Sequence, residues 1–273
     1  MSILYDEHIG EYHSRPATTL SKSRIMDFAH HGPAWWKLRY IDGVIPPRES
    51  DAMDTGNALD HKLTGDPATF DLRYAVKPEG KEGDGRTKEG KAWAEANAGK
   101  TILSRSDAAI LEDAVRAVRE CPAALKATAG AHQQVTIRRH IAGLGIELQT
   151  RPDWWCPFTE DLIDLKKTRD LDVFPRQAID LGYHLQLALG HWLLAQEGHM
   201  PGKGYLLAVE WERGARARLY EVPEVALADG WRRCEALVKE IAGRLKSGDW
   251  TDRQHAPEVL PLTDWQIRKM EAA

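Results

Sequence analysis

The stretch Ile146–Arg169, IELQTRPDWWCPFTEDLIDLKKTR, decides how the chain reads. From Ile146 to Trp155 apolar and polar residues alternate loosely, the period of a half-buried strand. The segment from Cys156 to Asp161 interrupts the pattern, and Pro157 with its polar neighbours favours a turn. Leu162-Ile163-Asp164-Leu165-Lys166 then alternates again, so the two runs predict an antiparallel hairpin. On the second run Ile163 and Leu165 face one way and Asp164 and Lys166 the other, because strand side chains alternate. The hairpin brings Asp153, near the end of the first run, beside Asp164. Two carboxylates and an ammonium at one spot are costly unless something binds there. Adjacent carboxylates raise each other's pKa, and a divalent cation removes that conflict. Oxygen donors suit a hard ion, Mg²⁺ or Mn²⁺. The plainer alternative is an exposed hairpin in which Lys166 forms an ordinary ion pair with Asp153 or Asp164.

Working outward, the 273 residues are enough for a large core, and helical and strand patterns interleave, which predicts a mixed α/β class. A net charge of −4 excludes a globally basic nucleic-acid binder, so any DNA contact must come from local patches. Most of the ten tryptophans suit core packing better than base stacking. Cys121, Cys156 and Cys234 are few, odd in number and dispersed, which fits a reducing compartment and no zinc or iron–sulfur spacing. The opening MSILYDEHIGEYHSR lacks a signal-peptide pattern, and no apolar run approaches a membrane span. A soluble cytoplasmic protein without a membrane partner is expected.

Residues 1–50 read as an N-terminal helical elaboration belonging to the same domain as residues 51–273. Leu20-Ser21-Lys22-Ser23 offers helix caps before Ile25, Met26 and Phe28, a second helical run carries Trp35, Trp36 and Leu38, and Pro46–Ser50 closes the unit as a loop. A helix from about Met53 to Leu63 contains Gly56 and His61 and ends at Gly65-Asp66-Pro67. Glycine inside a helix costs about 1 kcal/mol relative to alanine and often marks close approach. His61 reads either as an ordinary helical histidine or as part of the site. Lys77–Gly90 is a charged, glycine-rich loop whose Arg86 and Lys88 could meet phosphate, or could simply be solvated. Ser106–Ala129 reads as helix broken at Pro122, Gln134–Ile141 as a strand turning into the hairpin, and Val173–Gln196 as one long helix. Gly204–Trp211 and Arg216–Val222 are two further strands, and a closing helix runs from Pro223 to about Lys246.

Hydrolysis of a phosphodiester needs a positioned water, neutralised phosphoryl oxygens and help for the leaving oxygen, which carboxylate-held divalent ions can provide. In that scheme Asp153 and Asp164 are ligands and the Leu165 carbonyl completes an oxygen shell. Lys166 acts as a fixed cation on the attacking water or the transition state. His61 could add a nitrogen ligand if its helix packs beside the hairpin, and Thr168 and Arg169 could position the scissile phosphate. Lys167, with Arg86, Lys88 and Arg169, would supply local positive charge for DNA. No phosphate-binding Gly-x-x-x-x-Gly-Lys loop or Gly-x-Ser-x-Gly elbow occurs.

Pro152-Asp153 followed by Asp164-Leu165-Lys166 matches the PD-(D/E)xK signature. Together with Leu20–Ser23, Gly56–His61, Arg151-Pro152-Asp153 and Tyr183-His184-Leu185-Gln186, in that order, the chain resembles the RecE/exodeoxyribonuclease VIII family of phage-type, RecB-like nucleases. The resemblance runs from about Leu20 to Trp250 and includes Trp211-Glu212 and Gly248-Asp249-Trp250. It implies a restriction-endonuclease-like α/β core, a mixed sheet containing the hairpin with flanking helices. It also implies metal ligation by His61, Asp153 and Asp164, catalysis by Lys166 and Gln186 together with the two aspartates, and Tyr183 and Arg151 on the DNA. The implied activity is a Mg²⁺-dependent exonuclease degrading one strand of linear duplex from its 5′ end. The 3′ overhang would serve phage or prophage recombination through a RecT-like single-strand annealing protein, and the family forms ring-shaped homo-oligomers. Departures are Gly190, where the family pattern has tyrosine, Gln133 and Gln134, where an upstream acid is expected, and Thr64–Pro67, which lacks the usual leucine and glutamate. An endonuclease or single-strand-specific DNase of this fold, or a non-catalytic DNA-binding scaffold, are the alternatives.

Overall fold

Pro152 splits the run that the sequence suggests is one strand. Ile146–Thr150 and Trp154–Cys156 are separate strands in this computed structural model, which describes residues 2–47, 50–65, 67–252 and 262–271. Proline has no N–H for a ladder, so the chain leaves one sheet at Arg151-Pro152-Asp153 and enters another. Ile146–Thr150 pairs antiparallel with Thr136–Ile141 in a four-stranded sheet, whose outer strands are Ser2–Leu4 and Thr19–Leu20. The N-terminal elaboration is therefore not helical throughout: up to Leu20 it supplies two strands beside the short helix Ile9–His13.

The second sheet has five strands in the order Ala217–Val222, Gly204–Glu210, Asp161–Thr168, Trp154–Cys156, His132–Gln133. The hairpin sits here, with Trp154 opposite Ile163 and Cys156 opposite Asp161. Asp161–Thr168 also pairs in parallel with Gly204–Glu210, a connection that needs a crossover. Two helices make it, Phe174–Asp180 and His184–Ala195, where the sequence suggests one. Gly182, at φ +66°, breaks the run. The resulting mixed sheet with flanking helices matches the expected fold class.

Period-two alternation divides the core between the two faces of this sheet. Leu162, Leu206 and Ala208 join Ile25, Phe28, Trp36, Leu187, Leu193, Val238 and Ile241 from the helices Lys22–Tyr40, His184–Ala195 and Glu224–Ser247. Ile163, Leu207 and Val209 join Ala58, Leu59, Leu111, Val115 and Ala124 from Asp51–Thr64, Arg105–Arg119 and Pro122–Thr128. Trp36 stacks on Trp250 at 5.1 Å, and Trp154 and Trp155 are also buried, so core packing accounts for four of the tryptophans. The helix Lys22–Tyr40 kinks at Gly32, φ +78°, which separates its two apolar runs. Of the expected loop Pro46–Ser50, Arg48 and Glu49 lie outside the described residues, as does Asp66 of the loop after the second helix.

Candidate active site

Asp164 points to the side of the strand that carries Leu162, yet it meets an opening between the helices rather than the core. A cavity of about 250 Å³ lies there, lined by Gly56, Asn57, Leu59 and Asp60, by Asp153, by Asp164 to Lys167, and by Gln186. Continuing the Trp154–Ile163 register by one residue sets Asp153 across from Asp164. Asp153 Oδ2 accepts the Leu165 backbone N–H at 2.5 Å, which fixes it over the strand. Asp164 is 1% exposed, and its Oδ2 is ion-paired with the Lys166 ammonium. Lys166, its side chain 19% exposed, also donates to the Leu165 carbonyl at 3.1 Å.

The charges at this spot oppose one another. Burial first, then the carboxylates of Asp60 and Asp164, push Asp153 well above the ordinary carboxylate range. Burial also raises Asp60, reinforced by Asp164 and resisted by hydrogen bonds with Thr64 and Asp153. Burial works against the charge on Lys166, but Asp164 and Asp153 outweigh it and its pKa lies above that of free lysine. Three acids therefore share one ammonium.

Among the described residues, no three His, Cys, Asp or Glu side chains stand close enough to form a finished ion site. Protein donors hold the acids: the Gln134 amide bridges Asp60 and Asp153, and Lys166 pairs with Asp164. The donor set nevertheless fits a divalent cation. It is all oxygen, and its three carboxylates outnumber the Lys166 ammonium among them.

His61 does not line this cavity. Its Nε2 lies 3.1 Å from Thr69 Oγ1, and its ring packs at 5.8 Å from both Phe70 and Tyr74. The acid that reaches the cavity from this helix is Asp60, one residue earlier. The signal that could have found it is helical spacing: Gly56 lines the cavity, and the residue one turn further on is Asp60. Gly56 is not a close-approach glycine, since a Cβ there would meet nothing within 4 Å. It keeps the cavity mouth open.

The expected DNA-contacting residues divide. Tyr183 lies beside the site, with Lys166 Nζ 5.2 Å and Lys22 Nζ 5.6 Å from its ring centroid. Gln186 lines this cavity and an adjoining one of about 160 Å³ that also holds Tyr12, His13, Lys22, Gln134 and Arg151. Burial, then the charge of Lys166, lowers the pKa of Lys22, a residue whose role the sequence did not suggest. Lys167 is tied to the Ala52 carbonyl at 3.1 Å and to Thr55 Oγ1, and so pins the helix Asp51–Thr64 to the site strand. Thr168 Oγ1 is spent on Asp170, donating to its carbonyl at 3.1 Å, and the residue is buried. Arg169 is exposed. Arg86 pairs with Asp84 on the surface, and neither Arg86 nor Lys88 lines either cavity. The Leu165 carbonyl is engaged by Lys166 rather than open.

Two departures acquire physical reasons. A Cβ on Gly190 would lie 2.6 Å from Leu162 Cδ1, so the helix backbone rests against the sheet and a tyrosine has no room. Gln134 reaches the acids, whereas Gln133 is exposed. A larger cavity, about 580 Å³, contains His191 and the stacked Trp192 and Trp231. Its acids, Glu221 and Glu224, are exposed, and Glu221 pairs with Lys203, so the converging buried charges belong to the smaller cavity.

This mixed-sheet core with an Asp153–Asp164–Lys166 cluster is the arrangement of the PD-(D/E)xK nuclease superfamily. The chain belongs to the family described as PDDEXK-like domain of unknown function (DUF3799), whose model matches residues 29–258. Proteins of this class generally use divalent metal ions. Among solved structures it is similar to a protein from Eubacterium rectale provisionally described as an exonuclease, with a TM-score of 0.64 and 16% identity over 98% of both chains. It is more distantly similar to SSO0001, with a TM-score of 0.31 and 22% identity over 42% of this chain and 53% of that one. No curated protein matches it by sequence.

Proposed function

We propose that the chain is a divalent-metal-dependent deoxyribonuclease that hydrolyses phosphodiester bonds at the ends of linear duplex DNA. The observation that carries this reading is the cavity in which buried Asp164 and half-buried Asp153 and Asp60 surround Lys166. Converging carboxylates raise one another's pKa, a conflict that a bound cation removes, and the ammonium beside them suits a substrate that is itself an anion. Asp153 and Asp164, with Asp60, would hold the ion; Mg²⁺ or Mn²⁺ bound there supplies Lewis-acid polarisation of the phosphoryl group. Lys166, kept protonated by its two carboxylates, orients the attacking water and balances charge developing on the phosphoryl oxygens. Tyr183 supports Lys166 through its ring face. Gln186 lies between the two cavities, where an incoming strand would pass, and Lys22 in the second cavity supplies positive charge for its backbone.

The finer reading, attack from the 5′ end leaving a 3′ overhang for a RecT-like annealing protein within a ring-shaped oligomer, follows from the RecE resemblance. It is tested by digesting linear duplex labelled at the 5′ end or at the 3′ end, with Mg²⁺ and with chelator, beside covalently closed circles. Early Mg²⁺-dependent release of the 5′ label alone is expected. Cutting of closed circles would make the protein an endonuclease. Metal-dependent DNA binding without any product would make it a scaffold.

A further inference from the structure

Gln134 sits where the chain passes from the five-stranded sheet to the four-stranded one, between His132–Gln133 and Thr136–Ile141. Its φ is +52°, a left-handed conformation that a glycine adopts freely and a glutamine does not. The backbone is held there by its N–H, which donates to the Asp153 carbonyl at 3.1 Å. What the glutamine gains is the position of its amide. Nε2 donates to Asp60 Oδ1 at 2.9 Å and Oδ2 at 3.1 Å, to Asp153 Oδ1 at 2.9 Å, and approaches Thr64 Oγ1 at 3.3 Å. One NH₂ group thus spans two acids that come from elements 93 residues apart in sequence (153 − 60).

The amide cannot turn over. Oε1 accepts from Arg151 Nε at 2.9 Å, and Arg151 is itself clamped by Nη1 donating to the Glu7 carbonyl at 2.8 Å and to Thr136 Oγ1 at 3.3 Å. A donor on one side and acceptors on the other fix which end of the amide faces the acids. Arg151 is therefore committed to the protein on three sides, which differs from the role of a free DNA contact.

We infer that Arg151 and Gln134 form a strut that positions Asp60 and Asp153 for the divalent ion, with Gln134 as the positioning residue and Arg151 acting through it. This rests on the metal-dependent reading above. Partners that orient metal-ligating groups typically matter about 10- to 100-fold in ion affinity, and the strut is expected to fall in that range.

The test is calorimetric titration of the full chain with Mn²⁺ and, separately, Ca²⁺, alongside thermal melts in EDTA. Gln134→Met keeps the length and removes the donors, and its ion affinity is expected to fall at least about tenfold. Gln134→Gly, which suits the backbone conformation, provides the same loss of amide should the methionine variant not fold. Arg151→Met is expected to weaken binding in the same direction, and the double variant to bind no more weakly than Gln134→Met alone, because both act through one contact. Unchanged ion affinity in the Gln134 variants, whatever their melting temperature, would overturn the strut and leave a purely structural corner. Additive losses in the double variant would overturn the role of Arg151 through Gln134. Absence of ion binding by the wild-type chain would instead overturn the metal-dependent reading, and the strut with it.

Discussion

Function and stability pull in opposite directions at Asp153 and in the same direction at Lys166. Asp153 is an acid that burial and two neighbouring carboxylates oppose, so its neutral amide should be tolerated better than the carboxylate in the metal-free protein. Lys166 is the ammonium ion-paired with Asp164, and removing one partner of a buried ion pair costs about 3–5 kcal/mol. In EDTA, Asp153→Asn is therefore expected to melt no lower than wild type, while Lys166→Met melts several degrees lower. Both should lose cleavage of duplex DNA by at least about a hundredfold, the scale for removing one preorganised charge-stabilising group. Matched melts and digestions of the two variants check this. A Lys166→Met protein that melts like wild type would mean that the acids are already neutralised without it.

Among elements, the contact of His184–Ala195 with the site strand sets how much the position of Gly190 will accept. Leu162 is 1% exposed and cannot move aside freely, so Gly190→Ala should cost about 1–3 kcal/mol by overpacking despite alanine's better helix propensity. Denaturant melts measure it, and a stabilised alanine variant would refute the close approach. The turn after Gly204–Glu210 is fastened separately: Asp113 on Arg105–Arg119 accepts from Gly214 N at 3.1 Å and Arg213 Nε at 2.6 Å, and pairs with Arg116. The Gly214 N–H first, and Arg213 next, hold Asp113 down to about 2. A depressed acid contributes stability that is present above its unfolded pKa, about 4, and lost as pH falls from there towards 2. Asp113→Asn should flatten that acid limb in a series of melts, and an unchanged limb would place the acid sensitivity elsewhere. These elements also mark what the sequence could convey. Alternation in Leu162–Lys166 correctly separated Ile163 and Leu165 from Asp164 and Lys166, because period two is a local property. The sheet change at Pro152 and the break at Gly182 were written in residues of known effect, but competing apolar periodicity hid them. Gln134 was not legible, and Asp60 only through its one-turn spacing from Gly56: which of two adjacent helical residues faces the hairpin, and where a left-handed corner aims its amide, depend on packing between segments far apart in sequence.

For the whole molecule, the acidic total and a polyanionic substrate are reconciled by where the positive charge lies. The chain carries −4 overall, yet Lys22, Arg151, Lys166 and Lys167 line two adjoining cavities that share Gln186. Not all of that charge is available to phosphate. Arg151 is held by Gln134, Glu7 and Thr136, and Lys167 by Ala52 and Thr55. Lys22 packs over Tyr183, and burial together with Lys166 already disfavours its charge, so an arriving phosphate would relieve it. Few free cations predict few released counterions. Because each phosphate neutralised on duplex contributes about −0.9 to the slope of log affinity against log salt, the slope should be shallow, on the order of −2 to −4. Lys22→Met should reduce it by about one such step, with equal effect across DNA sequences. Binding of a short duplex to catalytically silent Asp164→Asn, measured by fluorescence anisotropy from 50 to 200 mM salt (roughly the range over which such contacts weaken), gives both numbers. An affinity that does not change over that range would mean that the two cavities do not meet the DNA backbone at all, and a steep slope unaffected by Lys22→Met would place the phosphate contacts on another face.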